Sequence, residues 1–216
     1  PLASMHSCVC MGAGIGMAHG MTKVLQPGGK TQDRPVAVIG DSTFFHSGMT
    51  PPLNAVWNQS DTVTIILDNR TTAMTGGQQN PGSGKTLSGQ FSPAVDLVKL
   101  CEAFGVQHIR TVDPYDLSAV ETAIRDALDD SGASVIITRG PCVLEYKIKH
   151  EPWSIDAELC TGCKRCLRVA CIALGLNTTV EGKEVVEIDA TQCNGCGVCA
   201  QMCRFDAIKA PAPVSA

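Results

Sequence analysis

The sequence predicts an α/β domain built on a doubly wound parallel sheet, followed by a small α+β domain that holds metal through thiolates. Three observations predict it. Residues 1–150 alternate β-branched apolar runs with helical patterns, as right-handed βαβ crossovers require. The charged stretch YKIKHEPWSID, which contains Pro152, then marks a boundary near residue 150. Eight of the twelve cysteines lie beyond it, in Cys-x-x-Cys spacing.

Taken in order, the chain enters from Pro1 directly into the glycine-rich, helix-like CVCMGAGIGMAHG (8–20), an entry that suggests a piece of something longer. PVAVIG (35–40), TVTIILD (62–68), VQHIRTV (106–112) and SVIITRG (134–140) read as buried parallel strands, because continuous apolar runs mark strands covered on both faces. Between them, helices are expected over TPPLNAVWN, over 92–104 with Pro93 in the first turn, and from Asp116 through DLSAVETAIRDALDD. SIDAELC and VEIDATQC are repeated lead-ins to two cysteine groups, so the tail is an internal duplication. The expected domains are 1–150 and 151–210, with a disordered end at 211–216.

The formal charge of −4 and the absence of a Lys/Arg run argue against a nucleic acid or membrane partner and favour a partner with a basic patch. No apolar run approaches the roughly 18 residues of a membrane span, and no signal peptide leads the chain, so a soluble, cytoplasmic protein is expected. In that setting the cysteine spacing favours metal ligation over disulfides. Cys101 and Cys142 are expected to be core thiols, and Cys8 and Cys10 flank the glycine-rich entry.

The tail reads C-x2-C-x2-C-x4-C at Cys160, Cys163, Cys166 and Cys171, then C-x2-C-x2-C-x3-C at Cys193, Cys196, Cys199 and Cys203. Four-thiolate zinc sites also use C-x2-C pairs. Triplets with a lagging fourth cysteine instead suit cubane clusters, the fourth thiolate reaching the other cluster. The tail resembles the bacterial two-cluster ferredoxins. That resemblance implies a ferredoxin-like α+β domain with one [4Fe-4S] on Cys160, Cys163, Cys166 and Cys203 and a second on Cys193, Cys196, Cys199 and Cys171. It departs from the family in having Ile172 and Arg204 where proline is usual, and one extra residue before Cys171.

Upstream, Asp41 after one strand and Asn69 after the next fall side by side at the sheet edge where open α/β sheets bind ligands. A carboxylate, an amide oxygen and a backbone carbonyl suit Mg²⁺, and Gly40, Ser42 and Thr43 offer backbone N–H groups to phosphate at a helix start. The segment resembles the thiamine diphosphate enzymes, which implies that Asp41 and Asn69 ligate Mg²⁺ by side chain and Thr71 by its carbonyl. The same resemblance makes Met11 the apolar prop of the thiazolium and Met74 a further cofactor contact, while Met17 and Met21 read as a packed helix face. His46 is the candidate catalytic residue, as proton carrier or carboxylate anchor, weighed against a structural hydrogen bonder. Phe44 and Phe45 read as core.

GDSTFFHSGM with LDNRTTAMTGGQ resembles the large subunits of indolepyruvate:ferredoxin oxidoreductases, over nearly the whole chain and in the same order. This implies coenzyme A-dependent oxidative decarboxylation of a 2-oxo acid, with electrons passed to an external ferredoxin. TGGQQNPG departs from the usual His-bearing version of that loop. The resemblance also calls for a glutamate from a pyrimidine-binding domain or second subunit, absent from these 216 residues. Alternatives are an electron-transfer module with a non-catalytic docking domain, or the same chemistry on pyruvate, a branched-chain 2-oxo acid or 2-oxoglutarate. GSGKT (82–86) has Gln79 where a P-loop needs glycine, and GAGIG has His19 at the third dinucleotide-fingerprint glycine, so neither indicates ATP or NAD.

Overall fold

The computed structural model describes residues 5–25, 33–148 and 150–211. Positions 212–216 of the expected disordered end lie outside the described residues. The chain divides into two compact units, His6–Tyr146 and one formed mainly by Lys147–Ala216. Among the described residues no helix is long and apolar enough to cross a membrane.

In the first unit, β1 (Val36–Gly40), β2 (Val63–Asp68), β3 (His108–Val112) and β4 (Ser134–Arg139) form one all-parallel sheet in the order β1-β2-β4-β3. Helix α1 (Ala13–Leu25) precedes it. After β1 the chain turns into α2 (Asp41–Thr43), a π-helical turn (Phe44–Gly48) and α3 (Thr50–Trp57); α4 (Leu97–Ala103) precedes β3 and α5 (Leu117–Asp129) precedes β4. Alternate side chains of the strands feed two cores. Ile66, Val135 and Ile137 pack with Ile15 of α1, Phe44 and Cys101 of α4 on one face, while Val63 and Ile136 pack with Ala123 and Ala127 of α5 on the other. Phe44 and Phe45 meet edge to face, with ring centroids 6.3 Å apart, inside the first core. Helix α5 packs on β3 and β4, and Val36 and Val38 of β1 remain exposed.

Three expectations are corrected. Helix α4 starts after Pro93, because the Asp96 carboxylate accepts the Val98 and Lys99 N–H groups and fixes the first turn there. The glycine-rich face of α1 is packed only in part: Gly14 lies against Ala37 and Val38 of β1 and Met17 is half-buried, but Gly16 and Gly20 face open space and Met21 is exposed. Cys101 is fully buried, but Cys142 is only half-buried.

Arg34 ties this unit together at the end of the sheet opposite Asp41. Its guanidinium donates to the carbonyls of Ala127 (2.7 Å), Asp130, Thr62 (3.3 Å) and Gly132, which belong to the end of α5 and the strand approaches. Leaving a buried carbonyl without a donor costs about 1–3 kcal/mol. Arg34→Ala is therefore expected to reduce the unfolding free energy by about 2–4 kcal/mol, read as a lower urea midpoint.

In the second unit, β5 (Ser154–Ile155) pairs antiparallel with β8 (Ile208–Lys209), and β6 (Leu174–Thr178) pairs antiparallel with β7 (Glu184–Ile188). A 3₁₀ turn (Cys166–Val169) and α6 (Val198–Gln201) complete it. The duplication is visible in hydrogen bonds. Asp156 N–H donates to Ala207 O and Asp189 N–H to Ala173 O, both at 2.8 Å; Cys160 N–H then returns to Asp156 O and Cys193 N–H to Asp189 O. Each lead-in thus pairs with the end of the other repeat.

Candidate functional site

The parallel register Gly40↔Leu67 sets the carboxyl ends of β1 and β2 side by side. Asp41, the first residue beyond β1, is 2% exposed. Its Oδ1 accepts the Ser42 N–H at 2.8 Å, its Oδ2 accepts Asn80 Nδ2 at 3.1 Å, and the Arg70 backbone N–H also donates to it. Burial raises its pKa above the ordinary value despite these donors, and the nearby Asp68 carboxylate adds to the rise. Among the described residues no ion pair reaches Asp41. A buried, dipole-solvated carboxylate of this kind fits a hard cation.

Asn69 follows β2, and its Oδ1 accepts the Thr71 N–H at 3.1 Å. Arg70 between them takes a left-handed backbone, φ +62°, which accompanies the N–H donated to Asp41. Thr71 is buried, with Oγ1 donating to Gln78 O at 3.2 Å. Asp68 is held by Arg139 Nε at 2.9 Å and Arg70 Nε at 3.4 Å, beside a cleft of about 400 Å³ also lined by Gly82 and Leu97. Asp41, Asn69 and Thr71 therefore share one sheet edge, and the donor set has the oxygen chemistry that Mg²⁺ takes.

The other expected residues are placed less uniformly. Ser42 Oγ lies 2.7 Å from Thr72 Oγ1, joining the helix start to the turn that runs to Gln78. The Ser42 N–H is engaged by Asp41 rather than free, Thr43 is buried, and Gly40 is extended (φ −75°, ψ 153°). His46 is exposed on the π-helical turn. Met11 is 65% exposed; it precedes Gly12, at φ +94°, where a Cβ would collide with Ser47 Oγ, so this segment lies against the turn that carries His46. Met74 is 87% exposed in the turn after Thr72.

Asn80 is the residue that sequence reasoning missed. It is buried, its Nδ2 donates to Asp41 and its Oδ1 accepts the Gly82 N–H at 2.9 Å. In GGQQNPGSG an asparagine reads as turn chemistry, and only its distance from Asp41 in the fold reveals the second role.

All twelve cysteines are free thiols. Because β5 pairs with β8, Cys203 is carried to the lobe of the first repeat. Burial raises the Cys166 pKa, and Cys203, Cys160 and Cys163 are the thiols that add to the rise. Burial likewise pushes Cys199 up to about 11, with Cys196, Cys193 and Cys171 as its neighbours. The neighbours of Cys166 and of Cys199 thus come from both repeats, although among the described residues no group of three or more His, Cys, Asp or Glu side chains is drawn close enough to hold a single metal ion. Cys160, Cys163, Cys166 and Cys203 line a cleft of about 340 Å³ with Phe205. Four soft ligands on a half-buried lobe suit an iron-sulfur cluster. The second loop is shaped by Gly195 (φ +73°) and Gly197 (φ +71°), whose backbone leaves no room for a Cβ against His150 and Trp153, while Trp153 Nε1 donates to Gly195 O at 3.1 Å.

Compared with known families, residues 2–138 match thiamine pyrophosphate enzyme, C-terminal TPP binding domain, and residues 186–209 match the 4Fe-4S binding domain. Indolepyruvate oxidoreductase subunit IorA of Thermococcus kodakarensis is 37% identical over 226 residues, covering 97% of this chain and 34% of that protein. The subunit of the same name from Methanothermobacter marburgensis is 39% identical over 211 residues, covering 97% and 32%. The chain thus spans about a third of the length of the curated relatives it matches. Among solved structures, 2-oxoglutarate:ferredoxin oxidoreductase from Magnetococcus marinus, with 2-oxoglutarate, coenzyme A and succinyl-CoA bound, superposes with a TM-score of 0.52. The match covers 61% of this chain and 45% of that one at 17% identity, a likeness of fold.

Proposed function

The chain belongs to the thiamine pyrophosphate enzymes, with their C-terminal TPP binding domain and a 4Fe-4S binding domain behind it, and from that premise we propose that it is the diphosphate-binding, electron-carrying part of a 2-oxo acid:ferredoxin oxidoreductase. The proposed reaction converts a 2-oxo acid, an arylpyruvate such as indolepyruvate, with coenzyme A to an acyl-CoA and CO₂ in the cytoplasm, and sends the electrons to an external ferredoxin. The name shared by the relatives supports the arylpyruvate. One observation carries the reading: a buried carboxylate at a sheet edge, Asp41, that no ion pair reaches among the described residues, in the same chain as two cysteine clusters whose members are drawn from both repeats.

Bound thiamine diphosphate supplies the centre at which 2-oxo acids lose CO₂, and bound clusters accept electrons singly. In this reading Asp41 and Asn69 hold Mg²⁺ by side-chain oxygen and Thr71 by its carbonyl. Gly40, Ser42 and Thr43 line the diphosphate, and Met11 and Met74 contact the cofactor rings. His46 moves a proton or anchors the substrate carboxylate. Cys160, Cys163, Cys166 and Cys203 hold one [4Fe-4S] cluster; Cys171, Cys193, Cys196 and Cys199 hold the other. The pyrimidine-binding domain and its glutamate come from the rest of the protein or from a companion subunit.

The test is coenzyme A-dependent ferredoxin reduction by the complete assembly with a panel of indolepyruvate, pyruvate, 2-oxoglutarate and branched-chain acids. Preference for indolepyruvate is expected, and electron release with none of them rejects the reading. This chain alone is expected to bind thiamine diphosphate weakly with Mg²⁺ and not turn over. Asn80→Ala frees the Asp41 carboxylate to swing, and loss of such a supporting partner weakens metal affinity about 10–100-fold. Calorimetric titration with Mg²⁺ and thiamine diphosphate checks this.

A further inference from the structure

The two cysteine loops share left-handed backbone at Gly162 and Gly195 and at Lys164 and Gly197, but they differ in charge. The loop Cys160–Cys171 contains Lys164, Arg165 and Arg168 and no acidic residue, whereas Cys193–Cys203 contains no charged residue. Arg204 follows Cys203, the thiol that the crosswise strands bring to the first lobe. Glu184 lies 2.5 Å from Lys164 and neutralises it in part, and exposed Asp206 follows Arg204 by two residues. Among the described residues, Arg165, Arg168 and Arg204 are in no ion pair.

Exposure does not separate the lobes: Cys163 is exposed but Cys160 and Cys166 are buried and Cys203 half-buried, while Cys171, Cys193 and Cys196 are half-buried and Cys199 is buried. Backbone donors do not separate the lobes, since the Arg165 N–H reaches Cys163 sulfur and the Gly195 N–H reaches Cys193 sulfur at 3.4 Å. Charge is therefore what distinguishes them. Reducing a thiolate-bound cluster adds negative charge, which nearby cations stabilise. The same cations steer an anionic partner to that lobe, the opposite of the basic partner that the overall charge of −4 favours, because the charge is distributed unevenly.

We propose that the lobe of Cys160, Cys163, Cys166 and Cys203 is the electron exit, its cluster the more easily reduced of the two and its basic collar the docking surface for a small acidic electron carrier. One electron leaves that cluster, which is oxidised, and reduces the carrier's one-electron centre; no bond or proton moves. The proposal rests on the two-cluster reading of the tail.

The test uses the cluster-loaded chain reduced with dithionite. An EPR-monitored redox titration is expected to show two one-electron steps at least about tenfold apart in equilibrium, roughly 59 mV. In Arg165→Gln/Arg168→Gln/Arg204→Gln with unchanged iron content, the upper step falls toward the lower, which stays in place. Stopped-flow reduction of an acidic ferredoxin slows at least about tenfold in that variant and loses most of its salt dependence, while a neutral quinone is not slowed. The corresponding triple Lys variant restores both. An upper step that does not move, a carrier rate left unchanged, or an equal loss with the neutral acceptor overturns the proposal. Because dithionite supplies the electrons, this outcome is independent of whether a 2-oxo acid is oxidised.

Discussion

Asp41→Ala is expected to abolish Mg²⁺-dependent binding of thiamine diphosphate at concentrations that saturate the parent. Removing one member of a buried charge pair costs about 3–5 kcal/mol, or about 10²–10⁴-fold in affinity. Calorimetry with and without Mg²⁺ measures it; equal affinity in parent and variant would remove Asp41 from the metal site. The raised pKa of Asp41 adds a pH signature. Protons compete with the metal at a higher pH than for an ordinary carboxylate, so affinity falls as acid is added earlier than the ordinary value of 3.8 would give. In the metal-free chain the sign reverses. The folded state binds this proton more tightly than the unfolded state, so metal-free stability declines as pH rises through the window above 3.8, and Asp41→Ala removes that slope. Urea midpoints between about pH 4 and about pH 7 register the difference.

Cys203→Ser is expected to cost about half the iron and to do so by emptying the lobe of the first repeat, although Cys203 belongs to the second. Pairing it with Cys160→Ser then adds no further loss, whereas pairing it with Cys199→Ser removes both clusters. Non-additivity of this kind identifies residues that act as one unit. Iron content and low-temperature EPR of the three variants decide it; additive loss with Cys160→Ser and none with Cys199→Ser would mean that each repeat keeps its own four ligands.

The strands of the α/β unit were legible because runs such as VAVI and VIIT are apolar on both faces and too short for a long buried helix. The beginning of α4 was not. Pro93 and Asp96 both announce helix starts, and only Asp96, with its carboxylate on two backbone donors, performs the capping. Asp41 and Asn69 could be placed from the strand-end rule, since register between adjacent parallel strands fixes neighbours there. Asn80 could not, because its contact to Asp41 spans 39 residues and Asn80 itself lies in the irregular stretch after β2, with no periodicity to follow. The short β5–β8 ladder, two residues on each side, left no pattern of its own either. Its trace was the repeated Ile-Asp lead-in, legible as duplication but silent about which repeat pairs with which.

That exchange has a consequence for how the tail can be cut. A chain ending between Thr178 and Glu184 keeps Cys160, Cys163 and Cys166 without Cys203 and keeps Cys171 without Cys193, Cys196 and Cys199, and it leaves both two-stranded ladders without a mate. Neither half is a viable smaller version of the whole: the duplicated arms are interlocked like clasped hands, so one cannot be shed while the other keeps its grip.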